Sequence, residues 1–210
     1  MLLSCSGQKL CLCGILFRFR SILLLLRGAG ILEWFWYFFI YSVGGCLLEL
    51  AYAGATGGRW DRKCTLLLPL CPVYGAGMLA VLICAAPLRT RPVLAALLSA
   101  GAATGVEYAA SLFYEVVLGV AFWDYHDYRW NLNGRVCAAF SAAWGLLALP
   151  VLYWLQPAVS LWAAEIPVPV TLSVMAATGA DLLVSGYMLR RTGDRACLQW
   201  YRSWGFFTNF

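Results

Sequence analysis

Apolar residues run along this chain in long blocks separated by short polar segments, and the blocks have membrane-crossing length. Five stand out, at 31–52, 66–87, 92–122, 136–156 and 168–189. A helix rises 1.5 Å per residue, so about 20 residues cross the roughly 30 Å of hydrocarbon in a bilayer. All but one of the blocks fit that length as single helices. The block 92–122 would run about 46 Å as one helix, so it is expected to tilt, to break near Gly119 or to project beyond the lipid. The pattern predicts an all-α polytopic membrane protein: a bundle of about five transmembrane helices with short loops over 31–189, an amino-terminal extension at 1–30, and a basic, aromatic tail at 190–210.

The extension is apolar over 10–17 and 22–26, yet Arg18 and Arg20 would sit near the centre of any span built from it. Each charge there costs about 2.5 kcal/mol or more, which favours an interfacial helix over an extra membrane helix. A secretory signal is disfavoured by the interrupted apolar run, and Leu2-Leu3-Ser4-Cys5 lacks the preceding region a lipoprotein leader carries.

Composition agrees with the pattern. Hydrophobic residues make up 62% of the chain, charged residues 12%, and mean hydropathy is +0.75, more than one soluble core of 210 residues could bury. The Lys and Arg count sets an expected orientation. Arg59, Arg62, Lys63, Arg129, Arg135, Arg190, Arg191, Arg195 and Arg202 fall on one side. Arg89 and Arg91, with Lys9, Arg18, Arg20 and Arg27 if the extension stays there, fall on the other. The first side is expected to be cytoplasmic. The net charge of +5 is distributed as an orientation charge, with no basic stripe for nucleic acid.

The polar groups concentrate in the loop 123–135, where Trp123, Asp124, Tyr125, His126, Asn131, Asn133 and Arg135 crowd between two apolar blocks. Carboxylates also fall inside the blocks: Glu49, Glu107, Glu115 and Asp181. An ionised group in hydrocarbon is costly unless paired or hydrated, so these residues should face the bundle interior. Glu107, Ser111 and Glu115 stand four residues apart, on one helical stripe. They either hold the helices in register by pairing with Arg62, Arg129 or Arg135, or they handle substrate or protons. Asn131, Asn133 and Arg135 could bind a carboxylate or phosphate, or clamp the loop against Glu107 and Glu115.

Other chemistry is thin. The chain has one histidine, His126, and its nine cysteines read as reduced thiols, with Cys11-x-Cys13 as small apolar side chains. No metal site and no cofactor is expected. The motifs G-x-x-x-x-G-K-[ST], H-E-x-x-H and G-x-S-x-G are absent from the sequence, so a separate partner would have to hydrolyse any nucleotide.

Several motifs in order carry a resemblance: Gly45-x-x-x-Glu49, Pro69-x-x-Pro72-Val73-Tyr74-Gly75-x-Gly77, Glu107-Tyr108, Trp123-Asp124-Tyr125, Asn131-x-Asn133-Gly134-Arg135 and Trp144-Gly145. Over about 34–157 the chain resembles the bacterial ABC-transporter permease family of the CmpB type. The resemblance implies a small multi-pass permease-like protein of the bacterial plasma membrane. The chain departs from the family pattern at Asp61-Arg62-Lys63-Cys64 and Leu67-Leu68-Pro69, where a glycine pair is usual, and at His126, where serine is usual.

Two functions stay open. One is a transport permease subunit that binds solute between its helices and works with a separate ATPase subunit or a second copy of itself. The other is an intramembrane enzyme on a lipid-linked or phosphate-bearing substrate, with Glu107 or Asp124 as base and Arg135 as phosphate clamp. The polar set expected to serve either is Glu49, Glu107, Ser111, Glu115, Trp123, Asp124, Tyr125, Asn131, Asn133 and Arg135. Membrane lipid is a partner in both readings, and nucleic acid in neither.

Overall fold

The structure, a computed structural model, describes residues 30–56 and 66–199. The readings placed on 1–29, 57–65 and 200–210, including Arg59, Arg62 and Lys63, lie outside those residues. Among the described residues four helices are long and apolar enough to cross a membrane: Ile31–Ala55, Pro92–Leu118, Ala138–Ala164 and Val168–Thr192. A shorter apolar helix, Pro72–Cys84, stands among them, and the chain is a multi-pass helical membrane protein.

Helix α1 (Ile31–Ala55) carries Glu33 in its first turn, where a carboxylate favours the positive helix end. It stops at Thr56, whose N–H and hydroxyl both donate to the Tyr52 carbonyl. Helix α2 (Pro72–Cys84) has only 13 residues, about 20 Å and too short for the bilayer. The expected span at 66–87 is therefore corrected to a half-helix preceded by non-helical chain. The physical cause lies in Pro69 and Pro72: a helix through them would lose backbone donors and clash with the preceding turn, whereas Pro72 suits a first turn.

The break lies deep in the bundle. The Cys71 N–H donates to the Ser42 carbonyl at 3.0 Å, and Ser42 falls near the middle of the 25-residue α1. Backbone that is not helical survives at that depth only when protein satisfies it. Here Asp181 does so, accepting from the Leu67 N–H at 3.1 Å and the Leu68 N–H at 2.8 Å. Ser185 adds its oxygen to the Leu67 N–H at 3.1 Å and donates to Asp181 at 2.8 Å.

Helix α3 (Pro92–Phe113) widens into a π-turn at Tyr114–Leu118 and is closed by Gly119 at φ 72. The left-handed conformation there is the stop that the overlong block 92–122 needed. Helix α4 (Ala138–Pro150) continues through a π-turn, Val151–Leu155, into α5 (Gln156–Ala164). The block expected at 136–156 is thus shifted and longer, because Val136–Cys137 is a strand and Gln156, buried and hydrogen-bonded, does not end the helix. Helix α6 (Val168–Thr192) buries Thr171, Thr178, Asp181, Ser185 and Leu189 and turns apolar residues such as Leu183 outward. Its inner face is a polar seam, the arrangement lipid favours.

Close approach rests on glycine at two helix contacts. A Cβ on Gly45 would enter the Tyr74 ring, and one on Gly75 would enter the Phe38 carbonyl and Ser42 hydroxyl. Gly77, by contrast, has open space beside it. The core gathers Trp36, Tyr41, Val81, Leu82, Ala95, Leu152 and Ala163, and Trp36 ties α1 to α6 by donating to Thr171 at 2.9 Å. A second cluster, Tyr114, Phe122, Leu189 and Leu198, joins the 119–137 loop to the end of α6. Arg195 donates to the Phe122 carbonyl at 3.1 Å, so that loop and the segment after α6 share one end of the bundle.

Candidate functional site

The 123–135 loop is a built structure. Strands Asn131–Leu132 and Val136–Cys137 pair antiparallel across Asn133-Gly134. Both turn residues have positive φ, 53 and 66, and the Arg135 N–H donates to Leu132 at 3.0 Å. Asn133 and Gly134 are the central residues of that Asn-Gly turn, and with Arg135 they make the three-residue connection between the paired Leu132 and Val136. Asn131 donates to the Tyr128 and His126 carbonyls at 2.9 and 3.2 Å and accepts from the Gly134 N–H at 3.0 Å. Asn133 donates to the Tyr108 hydroxyl at 3.0 Å. The amide pair therefore shapes the loop.

Asp124 faces solvent and accepts from the His126 N–H at 2.9 Å and the His126 ring at 2.5 Å. Those bonds, the backbone one foremost, hold its carboxyl below the usual range. Their contribution is present above the ordinary carboxylate pKa and is lost as pH falls through the lowered one.

Beneath the loop lies a carboxylate enclosed by aromatic groups. Glu107, 7% exposed, accepts from the Tyr125 hydroxyl at 2.9 Å on one oxygen and from the Trp144 indole at 3.0 Å on the other. Trp144 meets Tyr74 edge-on at 5.4 Å, and Tyr74 donates to Glu49 at 3.3 Å. Phe140 stacks on Tyr125 at 5.0 Å. Burial above all, then the Glu107 charge, pushes the Tyr125 hydroxyl well above its ordinary pKa, so it remains a donor. Among the described residues the ion pairs are His126–Asp124 and Arg135–Glu115, so Glu107 has neutral donors and no cation.

The second group surrounds Arg135. Its guanidinium pairs with Glu115 and lies over the Tyr108 ring at 5.7 Å, while its carbonyl accepts from Trp123 at 2.9 Å. Ser111 donates to Glu115 at 3.3 Å. The structure thus brings Glu49, Glu107 and Tyr125 into one group and Ser111, Glu115, Trp123 and Arg135 into another, places Asn131 and Asn133 in the loop scaffold, and leaves Asp124 outside with His126. Tyr74, Trp144 and Ser185 are polar partners that the sequence assigned no site role, and Asp181, expected to face the bundle interior, stands outside the polar set expected to serve function. Tyr74 and Trp144 lie in the Pro72-Val73-Tyr74-Gly75 and Trp144-Gly145 motifs, which is where the sequence marks them. Among the described residues no cluster of three His, Cys, Asp or Glu could hold a metal.

Arg135→Ala is expected to lower stability by about 1–2 kcal/mol, below the cost of breaking a fully buried pair because Glu115 is a third exposed. Thermal unfolding in detergent measures it. The double variant with Glu115→Gln should lose less than the sum of the two singles, and strict additivity would mean that the pair contributes nothing.

A family model described as "Putative ABC-transporter type IV" matches residues 36–186, most of the described chain and all the groups above. No curated protein matches the chain, and no solved structure does.

Proposed function

The chain belongs to that ABC-transporter type IV family, and we propose that it acts as a membrane-spanning permease subunit in the bacterial plasma membrane. Its transport-related character follows from the family and the membrane-crossing helices. The observation that carries the permease reading is the break in the second crossing, where Leu67 and Leu68 hang on the buried Asp181 in mid-bundle. Transporters form solute sites at such discontinuous helices, and intramembrane carboxylates that face the bundle interior mark solute and ion paths.

On this reading the solute meets the bundle between the broken segment and the Glu49–Tyr74–Trp144–Glu107 group. The 123–135 loop, with Asp127, Arg129 and the 84% exposed Trp130 outward, faces the cytoplasm, in keeping with the Lys and Arg count. This sequence has no phosphate loop, so the reading assigns hydrolysis to a separate ATPase subunit that docks on that loop. The test is recovery of the tagged chain from its native membrane in mild detergent, followed by uptake in proteoliposomes. An ATPase subunit should copurify and uptake should need ATP. A chain recovered alone or only with its own copies, and fully active without ATP, overturns the ATPase-coupled reading.

A further inference from the structure

Two buried cysteines meet at the break in the second crossing. Cys46 on α1 and Cys71 at the cap of α2, each 2% exposed, pack together in one cluster walled by Leu50 and Tyr74. Both side chains are thiols. The backbone fixes their approach: the Cys71 N–H donates to the Ser42 carbonyl at 3.0 Å, and Cys46 stands one helical turn beyond Ser42 on the same face of α1. Gly45 keeps the two helices close, since a Cβ there would enter the Tyr74 ring.

A buried cysteine by itself is ordinary packing, a small apolar side chain. This pair differs in its place. Cys137 is as deeply buried but belongs to the hairpin, Cys84 is exposed, and Cys197 lies in the segment after α6. Cys46 and Cys71 face one another in mid-bundle, where the chain is unwound, and apolar packing alone requires no second thiol there.

Two thiolates make a soft donor set. Among the described residues no third His, Cys, Asp or Glu completes a metal-holding group with them, so the four-donor shell that zinc takes is not built. Two sulfurs suit a soft monovalent d10 ion, Cu(I) or Ag(I), which accepts two opposed donors and prefers thiolate to oxygen. The surrounding charge fits a cation. The Glu49 carboxylate, on the next turn of α1 after Cys46, accepts from Tyr74 at 3.3 Å, which sets a negative charge on that wall. Helix α2 begins directly after Cys71, and its positive end offsets the charge of the two thiolates.

We propose that Cys46 and Cys71 form a two-coordinate site for a soft monovalent metal ion, Cu(I) or Ag(I), at the broken crossing. Each thiol gives up its proton to solvent as its sulfur bonds the ion, and nothing is oxidised or reduced. The pair borders the region where the solute path is placed, yet the site is a property of the chain and is tested without transport.

The experiment is titration of the purified full chain in detergent with Cu(I), the thiols kept reduced by a phosphine, against bicinchoninate, a chelator that strips copper from single thiols. Cys46→Ser and Cys71→Ser should each lose one equivalent of retained Cu(I), and the double variant should lose one as well, because a single ion needs both sulfurs. Copper held by the remaining cysteines is common to all these chains. Cys84→Ser and Cys197→Ser should keep the parent count, and excess Zn(II) should leave the ion in place. Serine suits a helix cap at 71, and at 46 its hydroxyl can bond the preceding turn; the unfolding midpoint of each variant checks that it folds. Should a serine variant not fold, the corresponding alanine variant carries the comparison. Variants that retain as much Cu(I) as the parent, a double variant that loses two equivalents, or displacement of the ion by Zn(II) overturns the proposal.

Discussion

Replacing Asp181 by alanine is expected to cost about 3 kcal/mol of stability and to loosen the broken second crossing. The carboxylate accepts from Leu67 and Leu68 at 3.1 and 2.8 Å and from Ser185 at 2.8 Å. Its removal orphans the Leu68 N–H outright, and a buried donor without an acceptor costs about 1–3 kcal/mol. The Leu67 N–H keeps Ser185 at 3.1 Å, which limits the loss there, while the space left by the side chain adds to it. Asn should recover part of the loss, since its single oxygen can serve one of the two N–H groups but its amide must face the other. Two measurements check this: the unfolding midpoint in detergent, and the rate at which a thiol reagent reaches Cys71, which is 2% exposed next to the break. A shift below about 0.5 kcal/mol with unchanged Cys71 labelling would mean that other contacts hold the segment.

That prediction depends on a feature the sequence half showed. The blocks were legible because lipid demands apolar side chains whatever the backbone does, and for the same reason the pattern could not tell the helical part of 66–87 from its unwound part. Leu66, Leu67 and Leu68 read as span, and they are apolar in either conformation. Pro69 and Pro72 were the local sign of a break. Asp181, which holds it, stands more than a hundred residues away, and only the packing of α6 against the entry of α2 brings the two together. Gln156 misled in the opposite sense: a polar residue followed by Pro157 looks like a helix end, yet Tyr41 and Ser160 satisfy it and the helix runs on to Ala164.

The loop divides in the same way. Asn133-Gly134 is a turn signature that any reading of the chain can use, whereas the role of its neighbours depends on partners. Arg135 had two candidate acids, Glu107 and Glu115, and meets Glu115, because the π-turn at Tyr114–Leu118 carries Glu115 toward the hairpin while Glu107 faces Trp144. Helical spacing put both acids on one stripe, and the widened turn separates their partners.

The largest effect on transport is expected at Glu107, and the choice of substitution separates its two possible roles. Glu107→Gln keeps the side-chain shape. The Trp144 indole can only donate, so the amide must give it the oxygen and turn its NH2 toward Tyr125, whose hydroxyl can accept instead. The bundle should therefore lose no more than about 1 kcal/mol, within the worth of one ordinary hydrogen bond. The charge, however, is gone. If the carboxylate meets a solute or proton during transport, uptake should fall at least tenfold, about 1.4 kcal/mol, while unfolding in detergent barely moves. If Glu107 only anchors the loop, Gln should transport almost as well, and the damage should appear in Glu107→Ala, which strands the Trp144 N–H in the bundle. Tyr125→Phe supplies the remaining control. Its hydroxyl, held protonated by burial and by the Glu107 charge, stays a donor at every physiological pH, so any loss of uptake at high pH in the parent chain must come from another group. A Glu107→Gln chain that folds and transports as the parent does would remove the carboxylate from the solute path and leave the Asp181 break as the place to look.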